Sequence, residues 1–142
     1  MITLDEVLNH GMTWFECVMR GGSPAEQAAF FLHPHARIFI VSSGVTIDLD
    51  EHHKLHTQWV NERHELGGFT LTRLSETPER VRAIGTVYWE AQDPKRPPPN
   101  VIKAVVGEDW IVERIPSGEL KFVLYMNLFH HLVSDSAPLQ LE

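Results

Sequence analysis

Helix signals are confined to the first half of the chain and strand signals dominate the second half, and this division limits the possible folds most strongly. Capping boxes or acidic helix starts occur at Thr3–Glu6, Ser23–Glu26 and Asp48–Glu51. From Gly68 onward, apolar and polar residues alternate between turns, which is typical of strands. A run of helices followed by a run of strands indicates an α+β domain, with helices packed on one face of a mostly antiparallel sheet.

The predicted order is helix, helix, strand, helix and four strands. The first helix ends before Gly21, the second near Leu32 and the third near Leu66, where glycine or proline follows. The predicted strands cover residues 36–41 (continuing at 45–47), 69–74, 81–92, 101–115 and 120–132. One domain is expected over residues 1–133, with a flexible tail over 134–142, because 142 residues match the usual size of one domain.

Charge and cysteine content exclude several classes of partner and site. The chain has 12 Lys plus Arg against 19 Asp plus Glu, a net charge of −7, so neither nucleic acid nor an anionic membrane is an expected partner. Cys17 is the only cysteine, which excludes an internal disulfide and a four-cysteine zinc site. No apolar run is long enough to span a membrane, and the acidic N-terminus is unlike a signal peptide, so a cytoplasmic location is expected.

The element order, the segment His33–Arg37 before the first strand, and the closing hairpin from Ile111 to Phe122 resemble the nuclear transport factor 2-like (NTF2-like) superfamily. The resemblance covers residues 3–130 and implies a cystatin-like cone: a curved sheet wraps over three helices and encloses an apolar pocket. It also implies a homodimer formed through the outer sheet face. Because the superfamily contains enzymes, transport proteins and accessory domains, the resemblance implies a fold and not one function.

The catalytic groups of ketosteroid isomerase, a member of this superfamily, are absent from the chain. By resemblance, Trp14 takes the place of that enzyme's oxyanion-hole tyrosine, and Ile40 and Ile111 take the places of its two aspartates. His64 lies close to the place of the catalytic histidine of the superfamily's dehydratases, but the first helix has no aspartate after Asp5 to complete the dyad. Neither mechanism is therefore carried over to this chain.

Strand alternation predicts a set of polar side chains that point into the pocket. An acid such as Asp109 in an apolar pocket would have a raised pKa, and a nearby histidine would complete an acid–base pair. Such a pair suits proton abstraction next to a carbonyl, dehydration or hydration. The candidate catalytic residues are His56, Tyr88, Asp109 and Tyr125. The candidate ligand-binding residues are Trp14, Val18, Ile38, Ile40, Trp59, Thr86, Glu90, Ile111 and Asn127.

No metal or cofactor is expected. His52 and His56 are four residues apart but lack the glutamate of the His-Glu-x-x-His pattern, and the chain has no glycine-rich phosphate loop. The alternation of the 81–92 strand places Trp89 on the outer sheet face, where it would contribute to a dimer interface.

Three functions stay open at this stage. The first is binding of a small apolar or amphipathic molecule. The second is cofactor-free isomerisation, dehydration or cyclisation by general acid–base catalysis. The third is an accessory or assembly domain whose own side chains fill the pocket.

Overall fold

The computed structural model describes residues 1–140 and contains three α-helices and six strands. Each helix begins at a predicted start signal, and all three starts form a capping box with reciprocal side-chain and backbone hydrogen bonds. The elements are α1 (Leu4–Met19), α2 (Pro24–Ala28), β1 (Arg37–Ile40), β2 (Val45–Asp48), α3 (Leu49–Thr57), β3 (Val60–Glu76), β4 (Glu79–Gln92), β5 (Val101–Arg114) and β6 (Leu120–Leu132).

The six strands form one sheet in the order β2-β1-β6-β5-β4-β3. Only the β1–β6 pair is parallel, so the predicted α+β class with a mostly antiparallel sheet is confirmed. The pairing of β3 with β4 shifts register at three places, and irregularities of this kind increase the local twist of a sheet.

The third helix is much shorter than predicted. It ends at Thr57 instead of near Leu66, because residues 63–66 pair with residues 87–90 of β4. Gly67, expected to stop a helix, lies in β3, where an added Cβ would overlap Thr86 Oγ1. Long-range strand pairing therefore overrides the helical spacing of the apolar residues. The second helix also ends early, at Ala28, and the chain that follows bridges Phe31 to β6.

The main core lies between α1 and the inner face of the sheet. Trp14 and Phe15 of α1 pack against Trp110 of β5 and Tyr125 of β6, and all four side chains are buried. Gly11 makes this approach possible, since a Cβ there would be 2.5 Å from the Trp110 ring. The inner face of β4, β5 and β6 is consequently the face that can enclose a site.

Residues 133–137 lie along β5, beyond the domain boundary expected at residue 133, and the last two residues of the expected tail, 141 and 142, lie outside the described residues. The Ala137 N–H donates to the Val101 carbonyl at 2.9 Å, and the Lys103 N–H donates to Ser136 Oγ at 2.8 Å. The Ala137 side chain is buried in a second apolar cluster that includes Trp59 and Trp89. The packed part of the chain thus extends at least to Ala137.

Within residues 1–140, no helix is both long enough and apolar enough to cross a membrane.

Candidate functional site

A narrow cavity lies between the helices and the inner sheet face, with mostly aromatic walls. Trp14 and Phe15 come from α1, Trp59 precedes β3, Trp89 comes from β4 and Tyr125 from β6. The free volume is about 50 Å³, which suffices for a few water molecules. Binding pockets for drug-sized ligands are usually about 300–1,000 Å³. In this conformation the walls therefore leave room only for a very small ligand.

The predicted facing of β4 and β5 is wrong. On β4 the inward side chains are apolar and buried, and they include Val87 and Trp89. Trp89 lines the cavity instead of lying on the outer face. Its partner in the β4–β5 register is Ala104, so the inward side chains of β5 are the even-numbered ones, including Glu108. The prediction directed the polar alternate residues inward, whereas burial under α1 selects the apolar ones.

Five predicted site residues consequently lie on the outer face and not in the cavity: Tyr88, Asp109, Thr86, Glu90 and Ile111. The Arg82 guanidinium donates from Nε to Asp109 Oδ1 at 2.9 Å, so this carboxylate already has an ionic partner. The Tyr88 hydroxyl donates to Glu90 Oε1 at 2.9 Å. The roles predicted for these five residues in the pocket are therefore withdrawn.

The other predicted residues lie at or beside the cavity. Ile38 is buried in the core next to Tyr125, without lining the free space. Those that line the cavity are His56, Tyr125, Trp14, Val18, Ile40, Trp59 and Asn127. Their part in binding or catalysis stays a prediction.

Glu108 is the cavity carboxyl group that the sequence analysis missed. It is 2% exposed, and Trp110 Nε1–H donates to its Oε1 at 2.9 Å. Burial raises the pKa of Glu108 to about 7, against the opposing effect of hydrogen bonds from Tyr125 and Trp110. The expected chemistry, a carboxyl group with a raised pKa in an apolar pocket, is thus present one residue before the predicted position. Reversing the facing of β5 would have identified it.

His64 also faces the cavity, from β3. Its ring stacks on that of Phe15 with the centroids 4.2 Å apart, and its buried Nδ1 has no hydrogen-bond partner among the described residues. Burial, with a smaller contribution from nearby His56, lowers the pKa of His64 to about 3. A neutral imidazole with an unpaired nitrogen therefore lies beside an aromatic ring, where the dehydratase resemblance would require an aspartate on α1.

Two further histidines form the α3 side of the cavity. His52 Nδ1 lies 2.8 Å from Gln27 Oε1, and His56 Nδ1 lies 2.8 and 3.0 Å from the two carboxylate oxygens of Glu62. Trp89 Nε1–H donates to the same Glu62 at 3.0 Å. Burial lowers the pKa of His52 well below its usual value, with a smaller contribution from His56. Glu62 escaped prediction because its segment was interpreted as helix.

No three His, Cys, Asp or Glu side chains of residues 1–140 are arranged to hold a metal ion.

Comparisons with known proteins find structures of the same fold, but they find no close relative. No family model matches the chain, and no curated protein matches it. Among solved structures, an NTF2-like protein from Cytophaga hutchinsonii is 11% identical, with a TM-score of 0.63 over 94% of this chain and 100% of that chain.

Two further solved structures bear names of enzymes. The hexachlorocyclohexane dehydrochlorinase LinA-type3 from Novosphingobium barchaimii is 16% identical, with a TM-score of 0.66 over 92% of this chain and 89% of that chain. A protein from Novosphingobium aromaticivorans assigned as a scytalone dehydratase is 15% identical, with a TM-score of 0.66 over 95% and 88%. At these identities the likeness concerns the fold alone.

Proposed function

We propose that this chain, which has the cystatin-like fold of the NTF2-like proteins, binds a small, largely apolar molecule in its aromatic cavity and transfers a proton to or from it without a cofactor. The fold predicted from the sequence is confirmed by the solved structures. The observation that carries the proposal is the buried Glu108 carboxyl group, which lies at the cavity with a hydrogen bond from Trp110 and, among the described residues, no cationic partner.

Glu108 is suited to general acid–base catalysis because both of its protonation states are populated at neutral pH. With a pKa of about 7, it can donate or accept a proton near the operating pH of most enzymes. The Tyr125 hydroxyl, whose pKa burial raises well above its usual value, stays protonated and can donate a hydrogen bond to a developing oxyanion. These two groups support isomerisation, dehydration or cyclisation, and the structural relatives include a dehydrochlorinase.

The cavity lining favours a ligand without a negative charge. Among the described residues, no lysine or arginine lines the cavity, and burial lowers the pKa of His52, His64 and His130. A carboxylate ligand would therefore lie beside Glu108 without a compensating cation, which costs free energy in an apolar site. A neutral molecule with an apolar body avoids this cost.

The small free volume supports a second candidate function, an accessory domain whose own side chains fill the cone. A free volume of about 50 Å³ leaves most of the cavity occupied by aromatic rings. Ligand binding on any larger scale requires movement of Trp59 and Trp89, whose rings pack against each other with centroids 5.0 Å apart. The two candidates thus differ in whether these indoles give way to a ligand.

Native mass spectrometry of freshly purified protein, followed by catalysis of the retained molecule, tests the proposal. A small molecule released at higher collision energy is expected. Its conversion by the wild type should fall by about 100-fold or more in Glu108→Gln, the range found for loss of a general acid–base group. The control is Glu90→Gln, the same change on the outer sheet face.

Two results would contradict the proposal. Undiminished turnover in Glu108→Gln, with binding retained, would remove Glu108 from the chemistry. An empty protein whose melting temperature no neutral small molecule raises would favour the accessory domain.

The outer sheet face supports a further proposal, a homodimer. Phe39, Met126, Asp109 and Ile84 align across four strands, and Phe39, Ile84 and the nearby Phe129 are 37%, 41% and 44% exposed. The charge of Asp109 on this face is already paired with Arg82. A second copy of the chain would bury these aromatic and aliphatic groups without leaving the charge of Asp109 unpaired.

A further inference from the structure

We infer that Gln27 and Glu62 hold His52 and His56 in the same tautomer, so that two imidazole Nε2 lone pairs face the cavity and select a ligand that presents a hydroxyl group. The inference rests on the proposed binding function and names the class of ligand. It depends on five hydrogen-bond contacts made by Gln27 and Glu62, in which the chemistry of the two partners decides the direction.

The tautomer of His52 is fixed by the amide of Gln27. Gln27 Nε2 lies 3.1 Å from the Gly22 carbonyl, which can only accept, so this end of the amide is the NH₂ group. The other end, Oε1, lies 2.8 Å from His52 Nδ1 and can only accept as well. His52 therefore carries its proton on Nδ1 and leaves Nε2 as an acceptor. Gln27 is 1% exposed, so water does not compete for these bonds.

The tautomer of His56 is fixed by a carboxylate that two donors share. The side chain of Glu62 is 3% exposed, and its Oε2 accepts from the indole of Trp89 at 3.0 Å. His56 Nδ1 lies 2.8 Å from the same oxygen and 3.0 Å from Oε1. A carboxylate without its proton can only accept, so Nδ1 donates and, in the neutral ring, Nε2 is the acceptor.

Both acceptors point toward the free space. His52 and His56 line the cavity, whereas Gln27 and Glu62 lie outside it, so the Nδ1 side of each ring is turned outward. The ring centroids are 4.4 Å apart, so the two imidazoles adjoin on one wall. A ligand hydroxyl can donate to such a wall, whereas a carbonyl oxygen or an ether oxygen brings another acceptor to it and leaves the two histidine lone pairs without a donor.

Replacement of Glu62 by leucine provides a selective test, because it removes the oxygens that accept from His56 Nδ1. A glutamine would keep one accepting oxygen, which Trp89 and His56 could still share at the place of Oε2. In Glu62→Leu nothing holds the proton on Nδ1, so His56 can carry its proton on Nε2 and present a donor to the cavity. Glu65→Leu is the matched control: Glu65 lies on the same strand with a side chain 63% exposed, and its carboxylate pairs with Arg63.

Nitrogen-15 NMR at about pH 8, where an ordinary imidazole is neutral, reports the tautomers directly. In the wild type and in Glu65→Leu, His52 and His56 should both show protonated Nδ1 and unprotonated Nε2. In Glu62→Leu, His56 alone should lose this pattern. A wild-type His52 or His56 with protonated Nε2 would overturn the inference, and this measurement does not depend on any ligand or variant.

The ligand class is tested with 2-propanol and acetone, which have the same heavy-atom skeleton and suit the small cavity. The alcohol should bind the wild type at least about threefold more tightly, as judged from NMR shifts at the cavity histidines, since the difference is one hydrogen bond. The preference should weaken in Glu62→Leu, because His56 can then present a donor to the ketone. Equal affinity for both probes in the wild type would overturn this inference and leave the proposed binding function intact. If neither probe shifts any cavity resonance, the proposed binding function fails.

Discussion

Glu108 and Asp109 are consecutive residues of β5, and their carboxyl groups lie on opposite faces of the sheet. Glu108 lies on the cavity side without a cation among the described residues, and Asp109 is held on the outer side by the Arg82 guanidinium. Both residues are 2% exposed, so burial alone does not distinguish them. Their partners distinguish them. Removing the charge of Glu108 and removing the charge of Asp109 should therefore change the stability of the protein in opposite directions.

Glu108→Gln is expected to make the protein more stable at alkaline pH. The pKa of Glu108 rises from 4.5 in the unfolded chain to about 7 in the folded protein, so the folded state binds more protons between these values. The stability of the wild type should accordingly fall by about 3 kcal/mol as pH rises from about 4.5 through 7. Urea unfolding at pH 5 and pH 8 should show that this fall in stability is absent from Glu108→Gln. The variant should therefore be more stable than the wild type at pH 8.

Asp109→Asn is the contrasting variant. Removing its charge weakens the bond to Arg82, and we expect a loss of about 1–3 kcal/mol in stability at pH 8, with no change in cavity binding. A stability gain in Asp109→Asn, or a loss in Glu108→Gln at pH 8, would contradict the assignment of the two faces.

His64→Leu is expected to reduce the sensitivity of the protein to acid. The folded-state pKa of His64 is about 3, below the 6.5 of an unfolded histidine, so the unfolded chain binds the additional proton. Stability is fully present above about pH 6.5 and is lost as pH falls toward 3. Thermal unfolding at pH 5 and pH 8 should give a smaller difference for His64→Leu than for the wild type, and the variant should be at least as stable at pH 8, because it also removes an unpaired nitrogen.

His131→Leu, a change at an exposed position of β6, serves as the control for His64→Leu and should leave the pH difference as in the wild type. Part of the acid sensitivity should persist in every variant, because His10 and His52 also have lowered pKa values. An unchanged pH difference in His64→Leu would show that this ring has a partner in solution.

Ala137→Asp is expected to destabilise the protein by about 1–3 kcal/mol, because it places a charge against the Trp59 and Trp89 rings. Pro138→Asp, at the exposed neighbouring position, should have little effect. Urea unfolding monitored by tryptophan fluorescence measures both. Equal, small effects would mean that residues 134–140 detach in solution and that the packed domain ends near residue 133 after all.

Phe129→Glu is expected to convert a dimer into a monomer. The Phe129 ring covers Gly107 on the outer sheet face so closely that an added Cβ there would overlap it, so the ring is held in place and exposed. Sedimentation velocity at matched concentrations compares this variant with Leu74→Glu, which changes a residue of similar exposure in β3. A monomeric wild type would refute the proposed dimer.

The sequence by itself determined the three helix starts and the fold class. Each start rests on hydrogen bonds between residues three positions apart, such as Thr3 with Glu6, so no other part of the chain is needed to form it. The concentration of alternating residues after Gly68 likewise indicated the antiparallel strands. Signals of this kind are local, so they can be recognised without knowing which other parts of the chain pack against them.

Tertiary structure alone decided which face of β4 and β5 encloses the cavity and where α3 ends. A strand with side chains on both faces has two possible orientations, and a difference of one residue exchanges Glu108 for Asp109. Contact with α1, more than eighty residues away along the chain for β5, selects the face that carries Glu108 and Trp110. Pairing with β4 similarly turns residues 60–66 into a strand and brings Glu62 to His56, because the free energy of a sheet depends on its neighbouring strands and the surface that covers it.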